Sequence, residues 1–284
     1  MKRQIKLTKK SKIFLLCIGI ILLAVLVINV VQNQNIQVNA ISIEFETLPE
    51  DFVGYKIVQV SDLHNAEFGE KNEDLLKLIK EQNPDIIVVT GDIVDSRRTN
   101  VQIARDFVNN AAQIAPVYYV TGNHESRVPV EDEIDNVELD KNIIALHNKA
   151  TLIEKGESVI QLIGVDDPAY RAVTDDTKYM NERLERYSDN EYFKILLSHR
   201  PELFDIYTEN NMDIVFSGHA HGGQIRLPFI GGIIAPHQGI FPKYDSGLYT
   251  SNNTNLVISR GLGDSIIPLR INNPPEIIVV TLEK

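Results

Sequence analysis

The 284-residue sequence contains a single cysteine and no tryptophan. A lone thiol, Cys17, excludes a disulfide framework and any thiolate metal site. Basic residues are scarce once the start of the chain is passed. The first twelve residues hold six Lys or Arg and no acid, and the other 272 carry 22 basic against 39 acidic residues, net −17. Such an acidic body offers no surface for gripping a phosphate backbone, so nucleic acid is not expected as a partner. No repeat or low-complexity tract is visible. With 43% hydrophobic and 24% charged residues the composition is that of a globular protein. A chain of this length buries most of its apolar surface without staples.

One long apolar run stands out. Ile13 to Val31 spans nineteen residues with Asn29 as the one polar side chain. Crossing hydrocarbon takes roughly 20 apolar residues. The basic residues before the run favour the cytoplasmic side, which puts everything after it outside. An uncleaved signal anchor is the expected reading. A cleaved signal is the alternative, with Val38-Asn39-Ala40 as the cleavage sequence, although its apolar core would be longer than the roughly 7–15 residues usual there. Cys17 lies inside the run and not just after it, which does not suit lipidation. The expected division is a cytoplasmic basic segment over 1–12, a transmembrane anchor over 13–31, a polar linker over 32–40 and one folded domain over 41–284.

The body alternates strands with helices. Ile41 to Thr47 alternates with period two, as a strand with one wet face does. Tyr55–Val60, Ile86–Val89 and Val117–Val120 read as strands. Helices are expected over Glu70–Gln82, stopped by Pro84, and from a Thr99/Gln102 capping box to about Gln113. The second half is richer in strands, at Val159–Val165, Phe193–Leu197, Ile214–Phe216, Leu256–Ser259 and Ile277–Leu282, with a helix over Asp175–Tyr187. The first three strand–loop–helix units end their strands in Asp62-Leu63-His64, Gly91-Asp92 and Gly122-Asn123-His124. Ligand sites collect at the carboxyl ends of strands in open α/β sheets. Later strands end in Ser198-His199 and Gly218-His219-Ala220-His221, so five of the seven histidines fall in these loops. A lone histidine beside a strand is usually structural; five in one pattern point to a metal constellation.

Asp62-Leu63-His64, Gly91-Asp92-Ile93-Val94-Asp95, Gly122-Asn123-His124-Glu125, Ser198-His199 and Gly218-His219-Ala220-His221 resemble the five blocks of the calcineurin-like metallophosphoesterases, in order, over about residues 55–283. Gly222-Gly223-Gln224-Ile225-Arg226 and Ser259-Arg260-Gly261-Leu262-Gly263 resemble the bacterial, membrane-anchored branch, which includes phosphodiesterases related to UDP-2,3-diacylglucosamine pyrophosphatases. The resemblance implies a four-layer α-β-β-α sandwich after one transmembrane helix, and phosphoester hydrolysis with two divalent metal ions. It implies that Asp62, His64, Asp92 and His221 hold one metal, and that Asp92, Asn123, His199 and His219 hold the other, with Asp92 as the bridge. It makes His124 the group that stabilises or protonates the leaving oxygen, with Asp95 holding its ring.

The chemistry agrees with this on independent grounds. Phosphoester hydrolysis needs a nucleophilic oxygen at neutral pH and counter-charge for the phosphoryl group, and a metal pair supplies both. An N/O ligand set favours Mn, Fe, Zn or Co, with Mn the expected ion. Two divalent ions against two aspartates and a hydroxide leave the core near one positive charge, which suits a diester monoanion or a pyrophosphate. Arg226 and His237 are candidate substrate contacts. Arg97 and Arg98 read as a solvated pair at a helix start, His147 as structural or exposed, and Glu131, Asp132, Glu133 and Asp135 as a solvated face. Finally, Leu227–Pro242 has no charge in sixteen residues, with three Gly and three Pro. It is expected to be mostly loop, either a plug over a sheet edge or a lip that dips into the bilayer beside the metals. The lip reading makes the substrate lipid-linked and the membrane a partner.

Overall fold

The computed structural model describes residues 8–128, 140–171, 173–264 and 270–284. The acids Glu131, Asp132, Glu133 and Asp135, and the basic residues before position 8, lie outside the described residues. Strands β1 Gln37–Glu44, β2 Lys56–Val60, β3 Ile86–Thr90, β4 Val117–Val120, β5 Ile143–Ala145 and β16 Glu276–Glu283 form one sheet in the order β1-β16-β2-β3-β4-β5. Strands β6 Lys149–Lys155, β7 Ser158–Val165, β8 Phe193–Ser198, β9 Ile214–Ser217, β14 Gly247–Ser251 and β15 Thr254–Ile258 form the other, in the order β14-β15-β9-β8-β7-β6. Both sheets are mixed: β2, β3, β4 and β5 run parallel while β16 opposes β2, and β7, β8, β9 and β15 run parallel between antiparallel edges.

Alternation along these strands sorts side chains into separate cores, because successive residues face opposite sides of a sheet. Ile86 and Val88 of β3 point at the second sheet, where Ile195, Leu197, Ile214 and Phe216 meet them. Ile87 and Val89 point the other way, against helices α2 Glu73–Glu81 and α3 Val101–Ala111 through Leu75, Ile79, Ala104 and Phe107. On the far side Leu196 and Val215 pack against helices α4 Asp176–Ser188 and α5 Phe204–Glu209 through Met180, Leu184, Phe204 and Tyr207. Both faces of each central strand are therefore covered, which explains their unbroken apolar runs. The result is the expected helix–sheet–sheet–helix sandwich.

Several boundaries differ from the sequence reading, each for a local reason. Helix α1 runs Lys9–Asn33, longer at both ends than the apolar run, and Thr8 caps it by accepting from Ser11 N–H at 3.2 Å. The large apolar side chains described on it, from Ile13 to Val31, are exposed, Leu22 and Val25 lying outside that description. The segment 32–40, expected as a linker, is mostly structured: α1 covers its start and β1 begins at Gln37. Polar Gln37 and Asn39 hide that strand in the sequence, but its eight residues pair in register with β16. Three residues, 34–36, remain as connection. Helix α2 starts at Glu73 because Lys71 and Asn72 are left-handed, and 70–72 forms a tight turn instead. Helix α3 starts at Val101 with Asn100 at its N-cap, so Thr99 and Gln102 are out of register for the expected capping box; Gln102 bonds Asp106 at 2.6 Å instead.

Candidate metal centre

The loops that follow β2, β3, β4, β8 and β9 converge at one end of the sandwich, as parallel strands with their carboxyl ends together require. Asp62, His64, Asp92, His219 and His221 all have left-handed backbones, with φ between 46° and 68°. Each such conformation costs a non-glycine residue about 1–3 kcal/mol, so the surroundings must enforce it. Bonds between loops do so. Asp62 N–H donates to Gly91 O at 3.0 Å, His64 N–H to Asp92 O at 3.0 Å, and Gly263 N–H to Asp62 O at 2.7 Å. Gly122 is required by close approach: a Cβ there would fall on the Asp92 carboxylate.

Two donor sets result. In the first, His64 Nε2 and His221 Nε2 stand 3.2 Å apart, and Asp62 Oδ1 lies 3.3 Å from His221 Nε2 and 3.8 Å from His64 Nε2. Asp92 Oδ2 completes it, 3.7 Å from His64 Nε2. In the second, the same Asp92 Oδ2 lies 3.3 Å from His199 Nε2, and His199 Nε2 lies 3.1 Å from His219 Nδ1. Asp92 therefore faces both sets with one oxygen, while its Oδ1 accepts from His124 N–H at 2.7 Å. Asn123 is buried beside them, and its Oδ1 has no hydrogen-bond partner among the described residues. Crowded ring nitrogens and an orphaned amide oxygen are what hard or borderline divalent cations take as ligands.

Charge and protonation point the same way. His199 donates Nδ1–H to Thr90 O at 2.7 Å, which frees Nε2 as a ligand atom. Burial pulls the His199 pKa down, but the adjacent Asp92 carboxylate outweighs it and pushes it up to about 10. Burial lowers His64 to about 3 and takes His219 and His221 well below the usual imidazole range, so these rings are neutral, as ligands must be. Burial raises Asp62 to about 6, whereas the neighbouring imidazoles hold Asp92 well below the carboxylate range despite its own burial.

His124 is buried with its ring edge-on to His64, the centroids 4.4 Å apart. Its Nδ1 accepts from Ser96 N–H at 3.1 Å. Asp95, expected to hold this ring, has its Oδ1 3.7 Å away, beyond hydrogen-bond reach. Asp95 is occupied elsewhere, accepting from Arg97 N–H at 3.0 Å and Arg98 Nε at 3.2 Å. Its short side chain is spent on fixing the turn that carries Ser96. The candidate Arg226 is also committed, with Nη1 2.9 Å from Gly222 O and 3.0 Å from Asp245 Oδ2. His147 pairs with buried Asp166 at 2.8 Å. His237 reaches the centre, its Nδ1 2.9 Å from His219 Nε2.

Sequence reasoning missed three supports. Buried Glu125 accepts from Asp92 N–H at 2.9 Å, Gly122 N–H at 2.7 Å and Val94 N–H at 3.2 Å, which ties two metal loops together. Gln59 bridges the two sheets beneath the site, donating to Thr90 Oγ1 at 3.0 Å and Ser217 O at 2.8 Å. Arg200, next to His199, forks onto Asp167 at 2.5 and 2.8 Å in full burial. The one available signal was adjacency, since Glu125 and Arg200 each neighbour a candidate site residue.

Leu227–Pro242 folds as two short antiparallel pairs, β10 Arg226–Leu227 with β11 Gly231–Gly232 and β12 Ile234–Ala235 with β13 Gly239–Ile240. It is not a plug. Phe229 is fully exposed, and Leu227, Ile230, Ile234, Ile240 and Phe241 are exposed as well.

The profile of the calcineurin-like phosphoesterase family matches residues 55–223. The chain is 32% identical over 252 residues to the uncharacterized metallophosphoesterase YkuE of Bacillus subtilis, spanning 85% of this chain and 84% of that protein. It is 28% identical over 233 residues to the phosphodiesterase YaeI of Escherichia coli, spanning 80% and 82%. It is 29% identical over 254 residues to a zebrafish (Danio rerio) transmembrane protein with a metallophosphoesterase domain, spanning 86% of this chain and 56% of that protein. With its five ligand-bearing loops gathered on a two-sheet sandwich, the chain belongs to the calcineurin-like metallophosphoesterase family, enzymes that hydrolyse phosphoesters with divalent metal ions.

Proposed function

We propose that the protein is a membrane-anchored phosphodiesterase or pyrophosphatase that acts outside the membrane on a lipid-linked substrate. The observation that carries the hydrolytic reading is the single oxygen, Asp92 Oδ2, placed between two buried donor sets. Asp62, His64, Asp92 and His221 would hold one cation and Asp92, Asn123, His199 and His219 the other, with Mn the favoured ion. Two such cations, when bound, would supply an activated water and counter-charge for the phosphoryl oxygens. His124, its ring edge-on to His64 of the first set, would stand beside a bound phosphoester. Because Ser96 N–H donates to its Nδ1, the ring's hydrogen sits on Nε2, which leaves Nε2–H as its donor. The name of the Escherichia coli relative supports a diester.

The membrane reading rests on the geometry of one end of the molecule. Only residues 34–36 separate α1 from β1, a reach of about 10 Å. A cleft of about 860 Å³ opens between Asn33–Ile36, Phe68–Gly69 and Leu262–Asp264, and Gly263 is bonded to Asp62. The exposed apolar hairpins attach to the same rim, where Ile225 pairs with Ile271 and Arg226 N–H donates to Ile271 O at 3.0 Å. An acidic body is repelled by anionic headgroups, which leaves an apolar lip to approach the bilayer. Anchor retention is favoured over cleavage after Ala40, because that cut would remove Gln37–Ala40, half of a paired strand. The test replaces Phe229, Ile234 and Phe241 by Ser in the detergent-solubilised enzyme. Turnover of a small soluble diester should persist while turnover of vesicle-presented substrate falls. A joint fall, with a lower melting temperature, would remove the lipid assignment.

A further inference from the structure

His237 belongs to the apolar stretch by sequence but to the metal centre by contact. It sits in the turn between β12 and β13 with a left-handed backbone, φ 58°. The base of this turn is fixed. Ala235 is buried, and the Gln238 amide grips Tyr244 from both sides, donating to its carbonyl at 2.7 Å and accepting from its N–H at 2.9 Å. From that base the imidazole lies nearly parallel to the His219 ring, with centroids 5.1 Å apart and Nδ1 2.9 Å from His219 Nε2.

The proton on that bond follows from valence. His219 turns Nδ1 toward His199 and Asp92, so Nδ1 is its ligand atom. A neutral imidazole that gives Nδ1 to a cation carries its only hydrogen on Nε2 and must donate it. His237 Nδ1 is then the acceptor, and His237 carries its own hydrogen on Nε2.

We propose that His237 is the positioning partner of the metal ligand His219, and that through this bond the apolar hairpins and the second cation stabilise each other. The inference rests on the two-cation reading above and adds a regulatory link to it. Coupling of this kind is reciprocal: an ordered hairpin tightens the cation site, and a bound cation orders the hairpin. Partners of metal-bound histidines typically change metal affinity 10–100-fold.

Three variants of the full-length, detergent-solubilised protein test this, stripped of metal and titrated with Mn²⁺ by calorimetry. His237→Gly removes the acceptor while tolerating the left-handed backbone. It should weaken the second Mn²⁺ event 10–100-fold and leave the first unchanged. His237→Asn places a carbonyl oxygen near the lost Nδ1 and should recover most of the affinity. His219→Ala, the control for the ligand set, should abolish the second event. Hydrogen exchange gives a readout independent of affinity: Mn²⁺ should slow exchange of the amides in 231–241 in the wild type and not in His237→Gly. Wild-type affinity in His237→Gly, or exchange in 231–241 that ignores Mn²⁺ in the wild type, would overturn the coupling. Two retained events in His219→Ala would instead overturn the ligand assignment beneath it.

Discussion

His124→Ala separates two roles that the site could ask of this ring. Ser96 N–H occupies Nδ1, so the ring's donor is Nε2–H. Burial lowers its pKa, and Asp95 stands too far off to restore it by hydrogen bonding. Cations in the neighbouring donor sets would lower it further. The ring is therefore neutral at pH 7 and acts as a hydrogen-bond donor to developing charge, and only weakly as a source of protons. Removing one preorganised donor of this kind costs about 10²–10³ in kcat, roughly 3–4 kcal/mol. A general acid would contribute a similar 10²–10⁴, so the size of the loss does not discriminate. The leaving group does. Across a series of phosphodiesters, from p-nitrophenyl to alkyl, the loss in His124→Ala should be nearly constant, with two cations still bound and the melting temperature kept. The pH dependence follows in sign. A depressed pKa keeps the ring neutral at every pH above it, so its contribution is present through neutral pH and lost only as pH falls below the depressed value. A loss confined to alkyl esters, together with a wild-type activity limb that declines as pH rises through about 6.5 and vanishes in the variant, would refute this reasoning.

Asp92→Asn should lose at least one cation, by elemental analysis of the purified protein, and nearly all turnover, because one oxygen serves both donor sets. Asp167→Asn removes the carboxylate that grips buried Arg200 most closely, leaving Glu202 at 3.4 Å and Asp176 at 3.6 Å, and should cost about 1.5–3 kcal/mol in denaturant unfolding, with cation binding weakened as a consequence.

The ligand-bearing loops were legible because β-strand ends are written twice in the sequence, once as an apolar run that stops and again as the Asp, His or Asn that follows. The layers were legible from the same runs, since Ile86–Thr90 and Phe193–Ser198 are apolar on both faces and must be covered twice. Supports that span the fold were not. Glu125 looks like one more acid in a loop; two of its three amide partners, Asp92 and Val94, lie on another loop, up to 33 positions away. Asp167 finds Arg200 at the same separation. The first half of β1, Gln37–Ala40, read as linker because its polar residues are satisfied by a strand distant in sequence, where Asn39 bonds Glu276. His237 was visible as a candidate, but its partner was not, since nothing local links a turn between glycines to a candidate metal ligand 18 positions earlier.

The pairing of β1 with β16 also sets a schedule for synthesis. The first strand after α1 takes as its neighbour a strand from the far end of the folded domain, from Gln37↔Glu276 to Glu44↔Glu283. β16 lies between β1 and β2, so until it arrives both strands present open edges that invite pairing with other chains. Contacts this distant in sequence form late. The approach to β16 also reaches the metal loops, where Asn273 donates to His221 O at 2.7 Å. A chain that stops before β16 would therefore carry an incomplete sheet and an unsupported candidate cation site. Truncation before Glu276 should yield protein that proteases clear, not a weaker enzyme. The fold thus inspects its own completeness before the centre can load.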